Sequence, residues 1–373
     1  MTTLVAAGLL IIALVTTAAW AMPALARPSL PFGVRVPPHR TTDQAIIEQR
    51  RIYTRRVLGL GALGLLASVP LILIRGPEPM LILIPAVLVV ADAVAYYLAH
   101  REVRAAKSRG NWYAGSRQGT TADTTLRTDP VRVPWAWLAP AVLVLIATAA
   151  VGITRYGELP ATLPAQRGMG VDTAHRMSTT WPAAFAPVLV QAALTLLMPL
   201  LAAGLTRARP ELDAARPAGS ARRYRAYLTG VVRLIMSTTA CANLTALVIA
   251  LQLWEILPPS VIVTVVTYLP LGLALAAWIV FEFRVGQAGH RLPAEPGEEA
   301  EDSALVQRDD DRYWRLGGFV YANRTDPALF VHQRAGGANW TMNLGHPITW
   351  AVLATLLVIA LLSATGIVPL TAG

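Results

Sequence analysis

The chain is poor in cysteine, in lysine and in charge of either sign. Cys241 is its one cysteine, so no intrachain disulfide can form and there is no thiolate metal framework. Lys107 is the one lysine among 32 basic residues, an arginine bias that fits high-GC coding and carries no mechanism. Charged residues make up 14% of the chain, against about a quarter in an ordinary soluble domain. The six histidines (His39, His100, His175, His290, His332 and His346) show no metal spacing such as H-E-x-x-H. A phosphate-binding loop, a dinucleotide fingerprint and a Ser/His/Asp set are all missing. The chain is therefore read as a non-enzyme without a cofactor or metal.

What is there is apolar sequence in long blocks. Hydrophobic residues make up 54% of the 373 and the mean hydropathy is +0.48. Blocks of about 20 residues cross the hydrocarbon of a bilayer. Eight such blocks lie near Thr3–Leu25, Val57–Ile74, Met80–Leu98, Trp135–Ile153, Ala183–Gly204, Tyr227–Leu251, Val261–Phe283 and Ile348–Val368. The first ends in Ala-Trp-Ala-Met, like a cleavage region. No Lys or Arg precedes it, so it is read as a span and not as a signal peptide. Prolines inside the blocks (Pro70, Pro85, Pro140, Pro187, Pro199 and Pro270) are read as ordinary membrane-helix kinks.

The net charge of +10 could suggest nucleic acid, but the basic residues sit between the blocks, as topology signals do. The connections after spans one, three, five and seven hold seven, seven, six and seven of them. Those after spans two, four and six hold only Arg75, then Arg155, Arg167 and Arg176, then none. This alternation puts the odd connections in the cytoplasm and both termini outside a bacterial-type plasma membrane. No nucleic-acid partner is expected; the bilayer is the first partner.

Pro134-Trp-Ala-Trp137 opens span four and Pro347-Ile-Thr-Trp350 opens span eight, an echo that would fit two four-helix halves in parallel. The expected fold is an all-α integral membrane protein of about eight transmembrane helices, with a small cytoplasmic β-hairpin element before the last. Residues 1–153 form the first four-span half with two basic loops, and 154–182 an outer Pro/Gly-rich loop. Spans five to seven occupy 183–283, an acidic linker and aromatic hairpin segment 284–347, and the last span and outer C-terminus 348–373.

Several stretches carry more than topology. Phe32-Gly-Val-Arg-Val36 has strand composition between prolines, and Thr42 to Arg56 reads as a helix capped by Thr42 or Asp43, with Ile46, Ile47, Ile52 and Tyr53 on one side. Gly110-Asn-Trp-Tyr-Ala-Gly115 and Thr124-Thr-Leu-Arg-Thr-Asp-Pro130 follow span three, the former read as a headgroup anchor. The outer loop, Tyr156 to Asp172, is rich in Pro and Gly, rigid and turn-like, without the periodicity of a folded domain. The acidic run Glu295, Glu298, Glu299, Glu301 and Asp302 reads as unstructured, and Asp309, Asp310 and Asp311 as solvated. Then Gly318–Asn323, Leu329–Gln333 and Trp340–Leu344 alternate apolar and polar residues between turn sequences, as strands of a hairpin do. Inside the spans, Asp92 and Arg233 stand at one depth, about 9 Å from the cytoplasmic edge at 1.5 Å per residue. They form a candidate ion pair, since intramembrane charges are costly unless paired.

The progression Leu159-Pro160…Leu163-Pro164…Gly170…Asp172 resembles the family called domain of unknown function 1648. It departs at Gln166, where the family often has His. The segment Asp311, Trp314, Gly317, Tyr321, Asn323, Asp326-Pro327, Leu329, Val331, Arg334, Gly337, Trp340-Thr341 and Asn343 resembles domain of unknown function 5808. Both resemblances imply a bacterial, actinobacterial-type membrane protein, and the first adds an analogy to SdpI-type immunity proteins. They make Pro160, Pro164, Gln166, Gly170 and Asp172 candidates for binding a peptide or antibiotic outside. Trp314, Tyr321, Asn323, Asp326, Arg334 and Trp340 become candidates for meeting a protein partner inside. The expected function is envelope sensing or immunity-type binding. The alternatives are a secondary transporter and, last, a membrane-embedded enzyme.

Overall fold

A computed structural model of the chain describes residues 2–76, 78–120, 125–167, 170–298, 301–337 and 339–364. Eight long helices dominate it: α1 (Thr2–Leu25), α2 (Gln44–Arg75), α3 (Glu78–Arg109), α5 (Ala139–Arg155), α6 (Trp181–Leu205), α7 (Pro217–Leu253), α8 (Val261–Arg284) and α9 (Pro347–Ala364). A single turn, α4 (Thr125–Thr128), lies between α3 and α5. Seven of the long helices are long and apolar enough to cross a membrane, and α9 adds a shorter apolar stretch, Pro347–Val358. The end of the expected eighth span, residues 365–368, lies outside the described residues. Large apolar side chains face outward along these helices; Leu73 and Val261 are each 81% exposed. Helices that are apolar on their outer faces belong in a lipid solvent. Pro70, Pro85, Pro187, Pro199 and Pro270 all lie inside continuous helices. Pro140 instead occupies the first turn of α5, where its missing N–H costs nothing.

The chain divides into two compact units. One comprises Met1–Asp123, Arg209–Arg223 and Val285–His346; the other comprises Thr124–Ala208, Tyr224–Arg284 and Pro347–Gly373. The long helices are thus grouped differently from the four-and-four division that the Pro-Trp echo would fit.

In the first unit α1, α2 and α3 pack together. The buried residues of α2 (Ile46, Tyr53, Val57, Gly61, Gly64 and Ser68) recur at helical spacing, one stripe running unbroken from the polar start of the helix into its apolar part. Asp43 caps it, accepting a hydrogen bond from the Ala45 N–H at 3.1 Å. Both α2 and α3 have 32 residues, about 48 Å at 1.5 Å per residue. That exceeds the roughly 30 Å hydrocarbon thickness, so each helix has length left over to enter a polar module.

Connections one, three, five and seven build that module. Phe32, Val34 and Val36 are fully or almost fully buried with Ile46, Tyr53, Tyr96, Val103 and Trp112. The Phe32 ring meets Tyr53 and Tyr96 edge-on at 5.4 and 5.5 Å, and its carbonyl contacts His100 Nδ1 at 2.8 Å. The run expected as a strand is a tight turn, Pro31–Gly33, followed by extended backbone. Its apolar side chains plug the space between α2 and α3. Trp112, expected at the headgroups, is 5% exposed in this same core. Three short pairs among the described residues complete the module: β1 (Gln118–Gly119) with β4 (Val306–Gln307), parallel, and two antiparallel pairs, β5 (Trp314–Arg315) with β6 (Val320–Tyr321) and β7 (Phe330–His332) with β8 (Trp340–Met342); a fourth, antiparallel pair, β2 (Thr162–Arg167) with β3 (Gly170–Ser178), lies in connection four. The hairpin segment expected before the last helix is present, and a bridge between Tyr321 and Asn343 joins its two pairs.

The acidic run of connection seven is ordered, contrary to expectation. Glu298 is ion-paired to Arg222, and the Glu301 carboxylate accepts from the N–H groups of Ala218 and Gly219 at 2.9 and 3.1 Å. A carboxylate at the start of α7 satisfies donors that the helix cannot. Glu299 lies outside the described residues.

The second unit holds α5, α6, α8, most of α7 and the β2–β3 hairpin. The loop expected outside holds this hairpin, with a register shift between Pro164 and Ala165, where a proline is best tolerated. Leu163 is fully buried with Phe185, Leu253 and Trp254. The hairpin escaped the periodicity test because most of β3 faces outward on both sides.

Candidate functional site

The densest chemistry lies in the polar module. Arg35 is buried, with 5% of its side chain exposed. It pairs with Glu211, donates from Nε to Asp310 at 3.0 Å, and its backbone N–H reaches Asp311 at 3.1 Å. Arg334 is fully buried, forks to Asp310 and Asp311, and lies 4.8 Å over the Trp314 ring. Lys107, near the end of α3, contacts Asp311 at 2.6 Å and Asp309 at 2.8 Å. The aspartate triplet, expected in solvent, is thus a junction. It is drawn inside because three cations reach it from connection one, α3 and connection seven.

The charges hold one another ionised. Burial alone would raise the Glu211 carboxyl, but Arg35, Arg27 and Arg334 outweigh it and hold the group well below the usual range. Burial likewise opposes ionisation of Asp310, and Arg334 with Arg35 brings it down to about 2. Asp311 is lowered in the same way, Arg334 and Lys107 overcoming its burial. Burial would lower Arg35, yet Glu211 and Asp310 raise it. His332, inside the module, is pushed down to about 3, first by burial and then by Arg27. Its imidazole is neutral at physiological pH.

A cleft of about 300 Å³ opens beside this cluster. Arg35, Arg209, Arg308, Glu211 and Asp310 supply its charge, and Tyr313, Trp314, Tyr321 and Asn323 its aromatic and amide wall. Three of the six residues expected to meet a partner therefore line one concavity. Trp314 and Tyr321 are 3% and 1% exposed, so little of either side chain is open at the surface. Arg334 stands behind them in the core. Asp326 accepts from the Tyr321 hydroxyl at 2.8 Å and pairs with Arg209. Trp340 is half-buried on β8, its ring 4.7 Å from His332.

Asn343 ties the segment together. Its amide donates to the carbonyls of Asn323, Asp326 and Ala328, and its oxygen accepts from the N–H groups of Asn323 and Gly345. A fully buried side chain that spends its amide on turn backbone holds the turns together by satisfying their polar groups.

The hairpin candidates stand together in the second unit. In β2–β3, Ala165 is opposite Asp172 and Gln166 opposite Val171, while Arg167 is opposite Gly170. Asp172 accepts from the Ala174 N–H at 3.0 Å and contacts His175 at 2.9 Å. Pro160 sits at the foot of the hairpin, where its carbonyl accepts from the Thr179 hydroxyl. Gly168 and Met169 lie outside the described residues.

Of the two intramembrane candidates, Asp92 belongs to the first unit and Arg233 to the second. Asp92 is 6% exposed on α3, and one of its carboxylate oxygens is buried without a hydrogen-bond partner. Arg233 is exposed on α7, with its guanidinium 5.6 Å from the Trp137 ring centre. The polar residues of the second unit mostly serve each other. Gln191 donates to Thr148 at 3.0 Å and to the Asn243 carbonyl at 2.8 Å, and Asn243 donates to Thr195 at 2.8 Å. Such bonds hold membrane helices together.

Sequence reasoning missed Arg35, Lys107, Glu211 and Asp310. The one available signal was an arginine within an apolar, proline-bracketed run and a single lysine in an arginine-rich chain.

These features define a multi-pass membrane-type chain that carries a folded polar module on the connections of its helices. Within it, residues 324–350 match a family of unknown function (DUF5808). The match covers β7, β8, the Asn343 junction and the start of α9. No curated protein and no solved structure matches the chain.

Proposed function

We propose that this chain is an envelope sensing or immunity-type binding protein of a bacterial plasma membrane. In this reading eight spans cross the bilayer, both termini lie outside, the polar module faces the cytoplasm and the β2–β3 hairpin faces out. The orientation is supported by the coincidence that the four arginine-rich connections are those that supply the module, since basic connections stay inside. The hairpin, with Pro160, Pro164, Gln166, Gly170 and Asp172, would meet a peptide or antibiotic.

One observation carries the binding reading: the cleft of about 300 Å³ with converging charged, amide and aromatic groups, the form of a small-molecule site. Arg35 and Arg209 are ion-paired there, whereas Arg308 has no ion-pair partner among the described residues, which favours a ligand with an anionic group. Catalysis fits it poorly. Among the described residues no Ser, Cys or His lines it, and both of its described carboxylates are committed to Arg35. A deletion strain, complemented with wild type or with Arg308→Glu, tests the proposal. Arg308 is exposed and lines the cleft, so its reversal should spare folding. Loss of the chain should sensitise cells to envelope-active peptides, and Arg308→Glu should restore little resistance at a normal membrane level. Unchanged sensitivity of the deletion strain would retire the reading.

A second reading, secondary transport, draws on Asp92, a buried carboxylate with an oxygen lacking a hydrogen-bond partner. Such groups inside membranes mark ion or proton paths, and an Asp92–Arg233 pair would be broken and remade in the cycle. In proteoliposomes under a proton gradient, Asp92→Asn should abolish flux; equal flux from the variant and wild type would end this reading.

A further inference from the structure

On the outer faces of α2 and α3, within the first unit, a groove of about 490 Å³ is lined by Arg55, Arg56, Gly59, Leu60, Leu63, Ala91, Val94, Ala95 and Leu98. Its residues recur three and four apart on each helix, so each set forms one continuous face. No carboxylate lines it. Its one polar end is the Arg55–Arg56 pair, immediately before the apolar block that starts at Val57. Both guanidiniums are on exposed residues, and among the described residues neither has a hydrogen-bond or ion-pair partner. The floor is opened by Gly59: a Cβ added there would meet nothing within 4 Å. The glycine therefore does not serve helix packing inside the bundle, unlike Gly61, whose added Cβ would strike Thr16 at 2.6 Å. The α2 helix also loses stability by having glycine instead of a good helix former there.

We infer that this groove is a binding site for one anionic phospholipid, an acyl chain lying along Gly59, Leu63 and Val94 and the headgroup phosphate meeting Arg55 and Arg56. The inference uses the membrane reading of α2 and α3 and is independent of the cleft in the polar module. Two unpartnered guanidiniums at the start of an apolar block stand where headgroups lie, and each such charge near an anionic surface favours it by about fivefold. Arginine also matches phosphate with two parallel hydrogen bonds. The length and apolar wall of the groove separate a phospholipid from a free phosphate ion, which would have no use for Leu63 or Val94.

The full chain, purified in a nonionic detergent, is offered equimolar phosphatidylglycerol and phosphatidylcholine, and the lipids it retains are counted by native mass spectrometry. The expected result is retention of one phosphatidylglycerol per chain, about 25-fold over phosphatidylcholine, the product of about fivefold for each of two arginines. Arg55→Ala with Arg56→Ala should bring the two lipids to equal retention. Gly59→Leu, which fills the groove and strains nothing in the bundle, should lower retention of both lipids while the thermal midpoint holds or rises. Equal retention of the two lipids by wild type would overturn the inference. So would phosphatidylglycerol retention unchanged in both variants. A lipid-free dimer that Gly59→Leu converts to monomer would assign the groove to a second copy of the chain and overturn it as well.

Discussion

At the residue scale the polar module turns on Arg334. A fully buried guanidinium survives only because two carboxylates and an aromatic face surround it. Removing one partner of a buried pair leaves charge uncompensated, at a cost of about 3–5 kcal/mol. Arg334→Ala should therefore lower the unfolding free energy of the purified protein by that order, read from thermal or denaturant unfolding; a change below about 0.5 kcal/mol, typical of surface sites, would contradict the account. Arg334→Lys should recover only part of the loss, because an ammonium cannot fork to Asp310 and Asp311 while lying flat on Trp314. The residues of this cluster were only half legible. Arg334, Trp314 and Asp311 lie in the stretch that carries the resemblance, Arg35 lies in a proline-bracketed apolar run read as a strand, and Glu211 lies in an unremarkable connection. Nothing local marks an arginine as buried; its partners do.

At the scale of elements, connection one and the hairpin segment meet backbone to backbone. Gly33 has φ +75°, and a Cβ there would stand 2.3 Å from the Gly317 carbonyl oxygen. The left-handed conformation alone costs a non-glycine residue about 1–2 kcal/mol, and the clash adds to it. Gly33→Ala should thus loosen the seat of Phe32 between Tyr53 and Tyr96. The measurement is limited proteolysis of the purified protein: cleavage after Arg27, Arg35 or Arg40 should quicken severalfold, and an unchanged digestion pattern would refute the close approach. The helix α2 and its Asp43 cap follow from local rules, as do the strands near Val320, Val331 and Thr341. The β2–β3 hairpin does not, because a ribbon exposed on both faces lacks the alternation that burial imposes. Phe32–Val36 misleads in the other direction: its apolar residues are buried by helices and never pair with a strand.

At the scale of the whole molecule the expectation to test is sidedness. The chain suits cysteine labelling, since its one thiol, Cys241, lies within the apolar part of α7. His175 and Arg312 are both exposed, one on the β2–β3 hairpin and one in the polar module. In intact cells a membrane-impermeant maleimide should label His175→Cys and spare Arg312→Cys, which should react only after permeabilisation. Labelling of Arg312→Cys in intact cells would reverse the proposed orientation and remove the cytoplasmic cleft from the functional reading.

Sequence alone determined that the chain is built of long apolar helices, where they start within a few residues apart from the polar first turns of α7, and which connections carry the arginines. These are properties of consecutive residues: the run length that hydrocarbon requires and the charges that flank it. Tertiary structure alone decided that those connections fold into one module, that an aspartate triplet is a charged junction, and that a cleft opens beside it. The contacts responsible join residues far apart in the chain, 204 between Lys107 and Asp311 and 276 between Arg35 and Asp311. A buried charge is stable only in the company of its partners, and that company is assembled by folding, not by neighbouring residues in the chain.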